Sequence, residues 1–284
     1  LVFATVTLTL RLMQLRPPAR PEDDEKLIDL RPMTDADLPA VKAMYERHAA
    51  KHNGHLQRTD PIWNVKIFRL FLNTPAKRFV LTRDGAIEGL LCYTHQRKPG
   101  EQFDLMISDA TFATPAAGRR ALAYLADHGS IAGRAIWIGI PGWNVLSHLR
   151  ERPWTYATAP TLRDHFMLRV IDPCAMLLAR GYPANSSGEL TLTLHDDRIA
   201  SNNASWLLRV THGVPTCERI EHPAAGTATP PRLELDVRAM ATMFSGYTTA
   251  STLAAQGWLR GEDPALRVAD ALFAGPTPWM QEIY

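Results

Sequence analysis

The first dozen residues alternate. Val2, Ala4, Val6, Leu8, Leu10 and Leu12 fall on one side of an extended chain, and Thr5, Thr7, Thr9 and Arg11 on the other. A period of two, with strand-favouring threonine on the polar side, predicts a half-buried β-strand over residues 2–13. A strand cannot stand alone, because its backbone N–H and C=O groups need a neighbouring ladder. The chain must therefore be built on a sheet. This strand belongs either to a sheet encoded upstream or to the sheet that follows it.

The rest of the sequence divides into two units. Residues 16–26 carry three prolines and a charge run and read as a linker. Beyond it, 28–32 is a short alternating strand, and Thr34 and Asp37 are candidate helix caps. Leu38, Val41, Met44, Tyr45 and His48 follow at helical spacing, which predicts an amphipathic helix to about Ala50. Residues 61–72 read as a further helix, with Trp63, Ile67, Leu70 and Phe71 on one face. Asp84-Gly85 separates two apolar runs and predicts a hairpin over 79–93, since glycine tolerates positive φ. A strand at 104–109, a helix at 115–128 and a strand at 135–140 complete an α/β order. The second unit starts near Thr161. Strands are expected at 167–172, 189–195, 205–210 and 232–237, with helices at 173–180, in the early 240s, at 251–256 and at 264–273, an α+β composition.

Composition narrows the function. The 284 residues carry a formal net charge of +2 and no basic stripe, which argues against nucleic acid as a partner. No apolar run reaches membrane-spanning length, and the first residues lack the basic region and cleavage pattern of a secretion signal. Cys92, Cys174 and Cys217 are odd in number and show no zinc spacing, so they read as thiols of a reducing, cytoplasmic compartment. His48, His52 and His55 merit consideration as metal ligands. However, His55 follows the break at Asn53-Gly54 and no acidic residue falls at a matching spacing, so the expectation is a solvated helix end and no metal.

Several stretches carry a family resemblance. They are 31–41 with its Leu30-Arg31-Pro32 entry, Tyr45-Glu46-Arg47, Trp63, and Ser108-Asp109-Ala110-Thr111 through Leu125. To these add 162–182, a short apolar strand with Leu168-Arg169 and then a helix closing in Ala179-Arg180-Gly181-Tyr182. The last are 250–255, 267–273 and the tail Trp279-Met280-Gln281-Glu282-Ile283-Tyr284. In their order and spacing they resemble the Eis (enhanced intracellular survival) family of GNAT acetyltransferases, from about residue 28 to the end. The resemblance implies a degenerate GNAT-like α/β domain over 27–160 and a sterol-carrier-protein-like α+β domain with a functional tail over 161–284. Residues 1–15 would be the last strand of an N-terminal, acetyl-CoA-binding GNAT domain that this chain otherwise lacks.

The activity so implied is transfer of acetyl from acetyl-CoA to a primary amine, of aminoglycoside or lysine type, by a homo-oligomer. The terminal carboxylate of Tyr284 would be the general base, and Asp164, Trp63 and Glu282 would line the amine site. Glu282 stands one position away from the family's penultimate acid. No residue here is expected to bind the cofactor. The family's Gln/Arg-x-x-Gly-x-Gly/Ala turn offers backbone N–H groups to a pyrophosphate, but Pro115 stands where its leading residue should precede Gly118. Alone, this chain is expected to be inactive without the upstream domain. A different class of function, a non-enzymatic ligand-binding or scaffold module on the sterol-carrier-like domain, is the alternative.

Overall fold

The computed structural model describes residues 2–12, 15–17, 24–70, 74–97, 102–138, 158–220, 230–280 and 282. The chain forms two compact units. One comprises Ala4–Asp164 together with the chain from Trp279 onward, and the other His165–Pro278 with the first three residues. The linker expected at 16–26 lies partly outside the described residues. Its last residues enter a 3₁₀ turn, Asp24–Leu27.

The first unit is built on a seven-stranded sheet. Its strands are β1 (Val2–Arg11), β2 (Asp29–Pro32), β5 (Lys77–Arg83), β6 (Ala86–Gln96), β7 (Phe103–Phe112), β8 (Ala132–Ile138) and β9 (Thr158–Met167), in the order β2-β5-β6-β7-β8-β1-β9. Two-residue strands β3 (Arg69–Leu70) and β4 (Thr74–Pro75) pair separately. The opening strand thus enters the sheet that follows it, antiparallel to β8. Asp84 and Gly85 both take positive φ (50° and 81°), the turn that matches strand twist and closes the β5–β6 hairpin. β7 and β8 are parallel, and the crossover between them is helix α2 (Pro115–Asp127). Helix α1 (Leu38–Ala49) covers the opposite face, and its entry is fixed by Asp37, whose carboxylate accepts from the Thr34 N–H and from Arg31.

Both faces of the sheet are buried, which explains the unbroken apolar run in β6. Leu91 and Tyr93 join Leu105, Ile107, Ala117, Ala121 and Leu125 on the α2 side. Leu90 and Cys92 join Val41, Met44, Tyr45, Trp63 and Ile67 on the α1 side. The helix expected over 61–72 shortens to a single wide turn, Ile62–Ile67, closed by Phe68 N–H donating to the Trp63 carbonyl at 2.9 Å.

The second unit carries a five-stranded sheet of β10 (Gly188–His195), β11 (Ser205–Thr211), β12 (Val214–Ile220), β13 (Arg232–Asp236) and β14 (Leu259–Gly261), in the order β12-β11-β10-β13-β14. Helices α3 (Pro173–Ala179), α4 (Val237–Phe244), α5 (Ala250–Ala255) and α6 (Asp263–Leu272) accompany it. Asp172, Asp236 and Thr249 cap three of them by accepting first-turn N–H groups. Leu190, Leu192, Leu208, Leu233, Met240, Leu253 and Leu272 form its core. Residues 168–172, expected as a strand, are the irregular lead into α3. Strand β12 is an addition to the sequence reading.

Candidate functional site

The first unit buries a charged cluster that no sequence pattern announces. After α1 ends at Ala49 the chain reverses at Asn53-Gly54, with Gly54 at φ +85°. It then runs back beneath the helix, where the Tyr45 hydroxyl donates to the Leu56 carbonyl at 2.9 Å. This return places the Arg58 guanidinium 3.8 Å over the Tyr45 ring and 4.8 Å from the Trp63 ring. Arg58 Nε donates to Glu282 Oε1 at 2.6 Å, and its Nη1 donates to Asp109. All three side chains are at most 1% exposed. Burial opposes a charge on Arg58, but the two carboxylates outweigh it and raise its pKa.

Asp109 reaches this cluster because β7 carries a bulge. Cys92 faces Asp109 while Tyr93 faces Ile107, so Ser108 is the extra residue. Leu105 and Ile107 lie on the α2 side, and strict alternation would send Asp109 there too. The bulge reverses the parity beyond it. Asp109 turns to the α1 side opposite Cys92, and Ala110 takes the α2 side instead. Thr111 Oγ1 then donates to Asp109 Oδ1 at 2.9 Å, and Ser108 Oγ donates to the Ile67 carbonyl at the same distance.

The tail is held at two points. Trp279 N–H donates to the Asn53 carbonyl at 2.9 Å, and Glu282 bonds Arg58. Gly54 permits the first contact, since a Cβ there would lie 2.7 Å from the Trp279 carbonyl oxygen. Of the residues singled out from the sequence, Trp63 and Glu282 therefore converge on Arg58. Trp63 is 2% exposed and stands edge-on to Tyr45, with centroids 5.4 Å apart. Asp164 falls on β9, and Tyr284 lies outside the described residues.

Beside the tail, the structure departs from the solvated helix end expected of the histidines. The reversal at Gly54 folds His55 back against His48 and His52, and all three are half-buried. Burial, then the neighbouring imidazoles, lowers His48 to about 4 and His55 to about 3. Cys92 is fully buried and its thiol is pushed well up by burial, so it is not a nucleophile.

The start of α2 does not fit a pyrophosphate. Thr114 Oγ1 accepts from Ala117 N–H, and Ala116 and Ala117 are buried against the core. Arg119, the nearest cation on the helix, is paired with Asp24 and Glu25. Those carboxylates would repel a phosphate, and the helix start offers no glycine cradle.

Residues 54–170 match the family described as the acetyltransferase (GNAT) domain, and residues 173–281 match the sterol carrier protein domain. No curated protein sequence matches the chain. Among solved structures, a GCN5-related N-acetyltransferase from Anabaena variabilis superposes with a TM-score of 0.84 at 22% identity, covering 99% of this chain and 67% of that one. A probable N-acyltransferase from Enterococcus faecalis gives 0.80 at 18%, covering 100% and 67%. Eis1 from Mycobacterium abscessus gives 0.71 at 24%, covering 99% and 68%. The chain spans about two thirds of the length of each of these proteins. The fold is thus a GNAT-like acetyltransferase unit followed by a sterol-carrier-like one.

Proposed function

We propose that this chain is the acceptor side of an Eis-like N-acetyltransferase, which moves acetyl from acetyl-CoA to a primary amine on a small molecule or a lysine side chain. In this reading the donor is held by a GNAT unit other than the one at 54–170, and the working protein is a cytoplasmic homo-oligomer. The Tyr284 carboxylate takes the proton from the attacking ammonium, since only the free amine is nucleophilic. Asp164 attracts the cationic acceptor and Trp63 backs its site. Glu282 anchors the tail.

The observation that carries the reading is the anchoring of Glu282 on Arg58, which Asp109 also holds, inside the GNAT-like unit. Burying a carboxylate has a cost, and holding the tail against this unit gives that cost a purpose.

The test is made in the protein that includes its donor-binding unit. Deleting Tyr284, or appending one glycine, moves the terminal carboxylate by about 3.5 Å. Either change is expected to lower kcat for amine acetylation by about 100-fold or more with the melting temperature unchanged. An unchanged kcat would overturn the assignment of the base. Titrating acetyl-CoA into the present chain is expected to give no binding, and micromolar binding would overturn the placement of the donor elsewhere.

A further inference from the structure

Three imidazoles meet where the tail docks, and the acetyl-transfer reading uses none of them. The ligand atoms of His48, His52 and His55 all lie within 4.8 Å of one another. His48 and His52 stack with centroids 4.3 Å apart, and His55 lies 5.5 Å and 5.2 Å from them. From this geometry we propose that His48, His52 and His55 form a binding site for a divalent transition metal of the Zn²⁺ type, held by three nitrogens with a fourth position left to water.

Four independent features support it. Three neutral imidazoles with one open position are a recurring zinc donor set, and tetrahedral Zn–N bonds of about 2.0–2.1 Å place the nitrogens about 3.3 Å apart. Modest side-chain rotation closes the present separations to that value. The tautomer of one ligand is already set: His52 Nδ1 lies 2.8 Å from the His48 carbonyl, so Nδ1–H donates there and Nε2 is left to bind. Such an outer hydrogen bond is what orients ligating histidines. Among the described residues no hydrogen bond reaches the ring nitrogens of His48 or His55, so neither ring is committed to another partner and each has a nitrogen to offer a metal. Finally, the nearest buried charges are Arg58 with Asp109 and Glu282, one cation against two carboxylates. The guanidinium that faces the histidines is thus already neutralised by carboxylates, and one of these, Asp109, acts on His48 against Arg58 and Lys51.

The site also has a consequence for the tail. His55 packs on the Trp279 ring at 4.5 Å, and Asn53, inside the same reversal, accepts the Trp279 N–H. A metal that fixes the reversal fixes the ledge on which the tail rests.

Tag-free protein, stripped with chelator, is titrated with Co²⁺ and then Zn²⁺. The expected result is one Co²⁺ per chain with the intense visible bands of tetrahedral coordination, displaced by one equivalent of Zn²⁺. His55→Ala and His48→Ala are each expected to weaken Zn²⁺ by more than about 100-fold, since losing even an outer partner of a ligand costs 10–100-fold. His195→Gln, at an exposed histidine of the second unit, is expected to change nothing. An octahedral Co²⁺ spectrum, or Zn²⁺ affinity retained in the His48/His52/His55 triple alanine variant, would overturn the proposal. Circular dichroism checks each fold. Should the triple variant unfold, His52→Gln decides, because His52 lies beyond the last turn of α1, and unchanged Zn²⁺ affinity there overturns the site.

Discussion

Replacing Arg58 with alanine tests whether the buried cluster holds the GNAT-like unit together. The substitution leaves Asp109 and Glu282 facing each other in a dry pocket, with side chains 0% and 1% exposed. Removing one partner of a buried ion pair costs about 3–5 kcal/mol, because the remaining charge is uncompensated. The guanidinium also leaves the faces of Tyr45 and Trp63, a desolvated contact worth up to about 2 kcal/mol that overlaps the first figure. At roughly 2–4 °C per kcal/mol for a unit of this size, the melting temperature should fall by roughly 6–20 °C. Glu282→Gln gives the contrast. It keeps an oxygen for Arg58 Nε and leaves Arg58 neutralised by Asp109, so the expected cost is about 1–2 kcal/mol. Thermal unfolding followed by circular dichroism measures both, and carboxypeptidase digestion with mass spectrometry reads release of the tail. A shift under about 2 °C for Arg58→Ala, or a larger loss for Glu282→Gln than for Arg58→Ala, would refute the reasoning.

Two further outcomes follow from the neighbouring reversal. His48 and His55 titrate at about 4 and about 3 in the fold, against about 6.5 in the unfolded chain. Below pH 6.5 the unfolded state therefore binds more protons, and stability present at neutral pH is lost as the pH falls through that window. After allowance for solvent screening the loss should be about 1–3 kcal/mol by pH 4. Urea unfolding in chelator at pH 7 and pH 4 measures it, and the difference should shrink in the His48→Gln/His55→Gln variant. Gly54→Ala combines a positive φ with a Cβ 2.7 Å from the Trp279 carbonyl, so it should cost about 1–3 kcal/mol. It should also expose the tail to carboxypeptidase, and a tail as protected as in the parent protein would count against the docking described.

Local chemistry was readable from the sequence where it decided the outcome locally. Asp84-Gly85 makes its hairpin, Thr34 and Asp37 bond to each other around the turn that leads into α1, and the alternation is a strand as far as Arg11. Features set by distant partners were not. Arg58 meets Asp109 51 residues away and Glu282 224 residues away, and no pattern around residue 58 announces either. Strict alternation would put Asp109 on the α2 side, and Ser108 shifts the parity of β7. Asn53-Gly54 reads as a break that separates His55 from His48, yet a reversal with positive φ brings them together. Residues 61–72 keep helical spacing for only one turn, since Arg69 and Leu70 are taken by the Thr74–Pro75 strand. Strand β12 carries Pro215, a residue that argues against a strand in sequence, and the structure puts that proline at a sheet edge, where a missing donor is tolerated.

The separation of Arg58 from Glu282 also sets an order of events during synthesis. Closing a loop of this length costs about (3/2)RT ln n, roughly 5 kcal/mol, if the intervening chain is still unstructured. Folding of residues 165–278 beforehand shortens the effective loop and lowers that cost. On the ribosome, Arg58 and Asp109 emerge long before Glu282 and can pair as one cation with one anion. The second carboxylate arrives 224 residues after Arg58, so a nascent chain interrupted at any earlier point lacks its anchor. Docking of Glu282 thereby works as a checkpoint, which a growing chain passes only after residues 165–278 have been made.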